Sequence, residues 1–212
     1  MILFFWGCTP AAPPQSPGPN TVPDMMSATD ADADSRTGPK RLTVIGVKNE
    51  IQHPDWDNQL IAYGISHILL QKLFEKGGYA PVEDNPEIIA EINRLIALQW
   101  EKNTLPTPED ADRAAARFYC EAVAYARLTD FFTTRKRGFA GPFSRAVTKI
   151  TVELEVYVKE TGKPVRVSTG TGTAETRSSG VFFQIRKDRI YFDETAVGQA
   201  TQKAIENAVK GF

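Results

Sequence analysis

The chain has 212 residues, of which 24% are charged, and its formal net charge is −1. This length suits one domain with a tail, and the balanced charge excludes a bulk electrostatic attraction to nucleic acid or to anionic lipid. No stretch has the roughly 18 apolar residues that a membrane-spanning helix needs. The cysteines and histidines, two of each, are too few for a disulfide framework or a metal cluster, so we expect no metal and no other cofactor.

The N-terminus is predicted to carry a lipid anchor at Cys8. An apolar run at residues 2–6 leads into Gly7 and Cys8, and a Pro-rich polar stretch follows directly. This arrangement resembles the lipobox of bacterial lipoproteins, in which a signal peptidase cuts before the cysteine and the sulfur takes the lipid. The run is shorter than the roughly 7–15 apolar residues of a secretory signal. We therefore interpret residues 1–8 as a truncated signal peptide with its lipobox, and the alternative is an apolar terminus with an incidental thiol.

Residues 9–40 differ in composition from the rest of the chain. Seven of the 14 prolines lie there, and most of the other residues are Ala, Ser, Thr, Gly and Asp. Such a segment has too little apolar surface to offset the entropy cost of ordering, so we predict a disordered linker. Depending on its stiffness, it would hold an anchored domain roughly 30–100 Å from a membrane.

A folded domain is predicted over residues 41–212, and its first half alternates strands with helices. β-Branched runs indicate the strands, while apolar residues at spacings of three and four, with cap residues at the starts, indicate the helices. In chain order these elements are a strand at 42–47, a helix from Asp57 to Gly77, a strand at 79–83, a helix that starts at Asn85 and Pro86, and a helix from Thr107 to about Arg117.

The second half is predicted to be mainly antiparallel strands followed by one helix. Alternation of apolar and polar residues is clearest at 150–158. The elements are strands at 119–131, 150–158 and 163–167, a hairpin formed by 181–185 and 190–192, and a helix from Asp193 to Gly211. A Gly-Thr run at 169–173 lacks the residue order of a phosphate loop and is predicted to be a flexible hairpin segment. The whole order predicts an α/β sandwich, in which helices pack on one mixed, mainly antiparallel sheet with extended β-hairpins.

Several stretches in this order resemble the CsgG family, which includes the curli production assembly/transport component and related periplasmic lipoproteins. Together they cover about residues 41–210. The stretches are LTVIGV at 42–47, GGYAPVE at 77–83, AYARLTDF at 124–131, VELEV at 152–156, KETGKPV at 159–165 and GQATQKAI at 198–205. The resemblance implies a lipid-anchored protein at the periplasmic face of the outer membrane. Thr9 after the anchor is not Asp, which in the common sorting rule favours outer-membrane delivery.

Members of the family that make secretion channels extend two β-hairpins per subunit and assemble into rings. The matching segments here are 131–148 and 169–192. A strand that faces lipid needs about 9–11 residues with one apolar face. The first segment instead carries the basic group Arg135, Lys136 and Arg137, and the apolar part of the second is short. We therefore prefer a tethered domain that uses long hairpins for contact, with a channel as the alternative.

Two groups of residues are predicted to contact another subunit or a partner protein. The first is the basic group Arg135, Lys136 and Arg137, for which a solvated hairpin tip is the alternative. The second is an aromatic hairpin with apolar side chains on both faces, which exceeds what one core face requires. Its contact residues are Val181, Phe182, Phe183, Tyr191 and Phe192. Packing on the domain's own core is the alternative for this hairpin.

The functional prediction is a non-catalytic lipoprotein in the assembly or export of cell-surface material. Its expected contacts are the lipid anchor in the outer membrane, a homo-oligomer, and a secreted or envelope protein; nucleic acid is not expected. One alternative is a ring-forming outer-membrane secretion channel. Another is a tethered activator of a cell-wall synthase, because such lipoproteins also carry a small α/β domain on a long Pro-rich tether. Enzymatic activity is not expected, since no nucleophile elbow, metal spacing or dinucleotide fingerprint is present.

Overall fold

The computed structural model describes residues 38–82, 85–137, 146–177, 181–187 and 189–212. All of them belong to one unit, Gly38–Phe212. The predicted anchor Cys8 and nearly all of the predicted linker lie outside the described residues, as do residues 138–145 between two of the strands.

Every predicted helix and strand has a counterpart in the described residues, and the predicted α/β class is confirmed. The elements in chain order are β1 (Lys40–Asn49), a one-turn helix (Pro54–Trp56), α1 (Gln59–Lys76), β2 (Tyr79–Pro81), α2 (Pro86–Lys102), α3 (Pro108–Phe118), β3 (Ala122–Arg137), β4 (Ala146–Glu160), β5 (Arg166–Thr176), β6 (Gln184–Arg186), β7 (Arg189–Tyr191) and α4 (Ala196–Lys210).

The helix starts follow the predicted cap chemistry. The side chain of Asn85 accepts a hydrogen bond from the first turn of α2. Pro86 has no backbone N–H, and at the first helical position none is needed. At α3 the Thr107 hydroxyl accepts from the Asp110 N–H, and the Asp110 carboxylate accepts from the Thr107 N–H, which completes the predicted capping box. The start of α1 differs from the prediction, because its N-cap is Asn58.

Five strands form a curled, mainly antiparallel sheet in the order β2-β1-β3-β4-β5, and β6 and β7 form a separate hairpin. β1 lies between β2 and β3 and runs parallel to both. β3, β4 and β5 are antiparallel neighbours, and a register shift interrupts β3 between Leu128 and Asp130. The parallel part of the sheet and the antiparallel part therefore meet at β3, the central strand.

Helices cover both faces of the sheet. One face carries the larger apolar cluster, to which α1, α4 and the inward residues of β4 contribute. Those β4 residues confirm the predicted alternation, since all five are fully buried: Ile150, Val152, Leu154, Val156 and Val158. The smaller cluster on the opposite face includes Phe118 of α3 and Val123 of β3, and Ile92 of α2 packs against both clusters.

The Gly-Thr run at 169–173 is the middle of β5 rather than a hairpin segment. Gly170 and Gly172 face α4, and a Cβ atom at Gly172 would lie 1.9 Å from the carbonyl oxygen of Ala200. Absence of a side chain at these positions lets the helix backbone rest directly on the strand. Alanines repeat on the facing side of α4 at 200, 204 and 208, so both partners are small where they meet.

A buried carboxylate, Glu160, joins the ends of several strands. It accepts hydrogen bonds from Lys40 of β1 at 2.6 Å, from the Tyr79 hydroxyl of β2 at 2.8 Å and from Arg166 of β5 at 3.0 Å. Burial alone would raise the pKa of Glu160, but the hydrogen bonds from Lys40, Lys163 and Tyr79 outweigh it and lower the pKa to about 2. We call this group the Glu160 cluster.

Candidate interaction site

The antiparallel pair β3–β4 continues past β1, and β5 accompanies it as far as Thr148 of β4. β1 pairs with β3 only as far as Leu128, whereas β4 pairs with it on to Arg137. We call residues 132–137 and 146–151 the arm. At a rise of about 3.3 Å per residue, the arm is about 20 Å long. Along the arm no second described strand pairs with β3, so the edge of β3 that faces away from β4 has no strand partner among the described residues.

The arm presents exposed side chains of mixed character. Phe132 is one of the largest exposed apolar residues, with 49% of its surface accessible. Arg135 and Lys136 are also exposed, but as consecutive strand residues they lie on opposite faces. The side chain of Arg137, the third predicted basic residue, lies outside the described residues. The basic group predicted from the sequence is therefore divided between two faces of a strand.

An aromatic junction lies at the base of the arm. It consists of six rings that come from four separate parts of the chain: His53, Trp56, Phe131, Phe182, Phe183 and Phe192. Phe182 stacks on His53 with ring centroids 4.9 Å apart, and Phe183 meets Trp56 edge-on at 5.0 Å. Phe131 of β3 contacts the rings of His53, Trp56 and Phe182. These contacts connect the β6–β7 hairpin and its preceding loop to the strand that forms the arm.

The predicted contact residues of the aromatic hairpin pack largely on the domain's own core. Phe192 is 5% exposed, and Val181, Phe182 and Phe183 are half-buried against the larger apolar cluster. Tyr191 is half-buried too, with the guanidinium of Arg186 5.9 Å from its ring centroid. Contact of these residues with another protein stays a prediction that concerns only their exposed parts.

Truncation of Phe183 should separate the hairpin from the core. We expect Phe183→Ala to lower the free energy of unfolding by about 3 kcal/mol. The substitution removes the ring that packs against Trp56 and Phe192 and leaves a cavity between them. Urea unfolding followed by fluorescence measures this loss. The matched control is Phe74→Ala, because Phe74 is 53% exposed and its truncation should cost much less. Equal losses for the two variants would contradict the described packing.

A polar network joins β3 to β4 on the face of the sheet that carries the smaller apolar cluster. The Glu155 carboxylate accepts from Arg127 at 2.7 Å and from the Tyr157 hydroxyl. The Tyr157 ring stacks on Tyr125 with centroids 4.9 Å apart. Burial, and then the hydrogen bond to Glu155, raise the pKa of Tyr157 to about 12, so this hydroxyl stays protonated as a donor at neutral pH.

Sequence reasoning missed the part that His53 and Trp56 play. The predicted strand over 119–131 includes Phe131, but no sequence motif links it to His53 or Trp56. The ring pairs that join the loop, β3 and the Phe182–Phe183 segment are 51 to 129 positions apart, so no local periodicity links them. The one available signal is compositional: the aromatic residues at 182, 183 and 192 exceed what a short hairpin can bury by itself.

Two further features concern the described residues only: membrane-spanning helices and groups of metal-ligating side chains. No helix there is long and apolar enough to cross a membrane, and no group of three or more metal-ligating side chains is assembled there. Cys120 is a buried free thiol, and burial raises its pKa to about 11.

No family model matches the chain, and no curated protein sequence matches it. Solved structures with a similar path include a hypothetical protein from Chlamydia trachomatis, at 15% identity over 82% of this chain and 95% of that one, with a TM-score of 0.44. A lipoprotein from Neisseria meningitidis shares 15% identity over 66% of this chain and 87% of that one (TM-score 0.42). A PelC dodecamer from Paraburkholderia phytofirmans shares 14% identity over 80% and 84% (TM-score 0.37).

These likenesses are too distant to carry a functional argument, because all three fall below 0.5 in TM-score and 25% in identity. Since no family model and no curated sequence matches the chain, the resemblance to the CsgG family stays a prediction.

Proposed function

We propose that this chain is a lipid-anchored protein at the periplasmic face of the outer membrane that acts without catalysis, by presenting its arm to another envelope protein. The anchor is Cys8, and the contact serves the assembly or export of cell-surface material. The observation that carries the proposal is the open edge of β3 along the arm, where Phe132 is exposed and no described strand pairs. An unpaired edge is a template for addition of a strand from a partner.

Charge on the arm favours a different protein over a second copy at this edge. Arg135 and Lys136 lie near the end of β3, and two such edges paired side by side would bring like charges together. An acidic or neutral strand from another protein meets no such repulsion. This argument supports a tethered interaction domain, and it leaves ring assembly through other surfaces as the alternative.

The anchor is tested by replacing Cys8. In a Gram-negative host fed an alkyne fatty acid, we expect wild-type protein to take the label and to sediment with outer membranes. Cys8→Ser should abolish the label and release the protein, because its hydroxyl cannot form the thioether to the lipid. Cys120→Ala is the control and should keep both properties, since Cys120 is buried inside the fold. A wild-type protein without label would refute the anchor.

Contact through the arm is tested by photocrosslinking in intact cells. A benzoylphenylalanine at Phe132 should crosslink to a partner, whereas the same group at Phe74, which is similarly exposed on α1, should not. An adduct whose mass is not a multiple of this chain's own mass contains a different protein and supports the tethered domain. A ladder of multiples at Phe132 would instead favour the ring-forming channel, and no specific adduct would refute contact through the arm.

A further inference from the structure

A polar cleft lies where the carboxyl end of β1 meets the start of α1 and the end of α2. It consists of two adjoining spaces of about 650 and 410 Å³ that share Asn49, Asp57 and Asn103 in their walls. In sheets with parallel strands, ligands bind outside the carboxyl ends of those strands, and small-molecule sites have volumes of about 300–1,000 Å³. Both the position and the size of this cleft therefore suit a small ligand.

The cleft has a preorganised floor. The backbone N–H of Asn49 donates to Asn103 Oδ1 at 2.9 Å, and Asn49 Nδ2 donates to the carbonyl oxygen of Trp56 at 3.0 Å. Asn103 caps α2 in the left-handed conformation (φ 49°), which asparagine tolerates better than most residues. Its Oδ1 is occupied, so its Nδ2 remains as a donor without a partner among the described residues.

The lining of the cleft contains both donors and acceptors. The carboxylates of Asp57 and Glu101 have no hydrogen bond or ion pair to another described residue and are acceptors. His53 Nδ1 accepts from the Asp55 N–H at 3.2 Å, so the neutral ring carries its proton on Nε2 and can donate. A ligand that satisfies such a set needs several groups that both donate and accept.

One wall of the smaller space is aromatic. Trp100 is half-buried, packs against the larger apolar cluster and lines the space beside Glu101. An indole combines a broad apolar face with an N–H donor, which suits a ligand with one apolar side and polar edges.

We propose that this cleft binds a saccharide, with ring hydroxyls on Asp57, Glu101 and Asn103 and one C–H face on Trp100. A sugar hydroxyl both donates and accepts, and a pyranose ring has a face of C–H groups. Phosphates and other anions fit poorly, because Asp57 and Glu101 would repel them. Acyl chains fit poorly as well, because most of the lining groups are amides and carboxylates that would lose water without compensation. This proposal does not rest on the anchor or on the arm.

Titrations of the ¹⁵N-labelled 212-residue chain with the tetrasaccharides of cellulose, starch and chitin test the proposal. We expect at least one of them to shift the Trp100 indole signal and the Asn49 and Asn103 amides saturably below about 10 mM, because a weak site has a Kd near 1 mM. Amides of β5 serve as internal references, because β5 lies at the edge of the sheet three strands away from β1.

Two variants separate binding from folding. Asp57→Ala combined with Glu101→Ala should raise the dissociation constant at least tenfold. The rest of the spectrum should stay unchanged, because both carboxylates are exposed and their removal does not disturb the core. Glu109→Gln, an exposed carboxylate on α3, should bind as wild type does. The proposal would be overturned if none of the three sugars caused saturable shifts, or if the shifts were confined to residues outside the cleft. It would also be overturned if the cleft bound the polyamine spermidine and not sugars, because the carboxylates would then serve a cation.

Discussion

Gly172→Ala is expected to lower the free energy of unfolding by about 3 kcal/mol or more. The new Cβ would lie 1.9 Å from the carbonyl oxygen of Ala200 and 2.4 Å from the backbone nitrogen of Ala204. Backbone atoms in the middle of a helix cannot rotate away, so α4 must move off β5 and expose part of the larger apolar cluster. Urea unfolding monitored by circular dichroism measures the loss.

A graded glycine series controls for loss of glycine itself. A Cβ at Gly38 meets nothing within 4 Å, so Gly38→Ala should leave stability almost unchanged. A Cβ at Gly46 meets the Gln99 side chain at 2.9 Å, which can shift, so Gly46→Ala should cost about 1 kcal/mol. If all three variants unfolded at the wild-type urea concentration, α4 would not lie on β5 as described.

Glu160→Gln is expected to lower stability by roughly 2–3 kcal/mol at neutral pH. The pKa of Glu160 falls from 4.5 to about 2 on folding, which corresponds to roughly 3 kcal/mol of preference for the charged form. Lys40 and Arg166 stay about 40% exposed, so solvent screening reduces that figure. Gln keeps the shape of the side chain but leaves these cations without their counter-charge.

The same cluster predicts a difference in acid sensitivity. Because the folded-state pKa is lowered, the contribution of Glu160 is fully present above pH 4.5 and is lost as the pH falls toward 2. Wild type should therefore lose its advantage over Glu160→Gln across this window, and the two unfolding free energies should converge near pH 2. Glu109→Gln, which changes an exposed carboxylate, should follow wild type at every pH. A constant gap between wild type and Glu160→Gln would show that the charge is not responsible.

Local chemistry allowed the starts of α2 and α3 to be predicted. Asn85 with Pro86, and Thr107 with Asp110, satisfy backbone donors within a few residues of themselves, so these helix starts do not depend on distant contacts. The alternation over 150–158 likewise predicted a half-buried strand, because a sheet with one covered face imposes a period of two.

The middle of β5 could not be predicted in this way. Glycine and threonine have weak or mixed local preferences, and the run at 169–173 was expected to be a flexible hairpin. Its glycines are required by α4, which begins more than 20 residues later in the chain and rests on Gly170 and Gly172. Only the packed structure shows that the missing side chains make room for a helix.

By itself, the sequence determined the α/β class, the order of helices and strands, the helix caps and the lipobox-like Cys8, because each of these is a property of neighbouring residues. The tertiary structure decided where the predicted contact residues lie. It placed Phe182, Phe183 and Phe192 in an aromatic junction with His53 and Trp56, and it divided Arg135 and Lys136 between two faces of the arm. It also assembled the polar cleft from the ends of β1 and α2. Burial and proximity between distant segments depend on how strands pair and how helices cross. Neither the strand pairing nor the helix crossing can be predicted from the pattern of neighbouring residues.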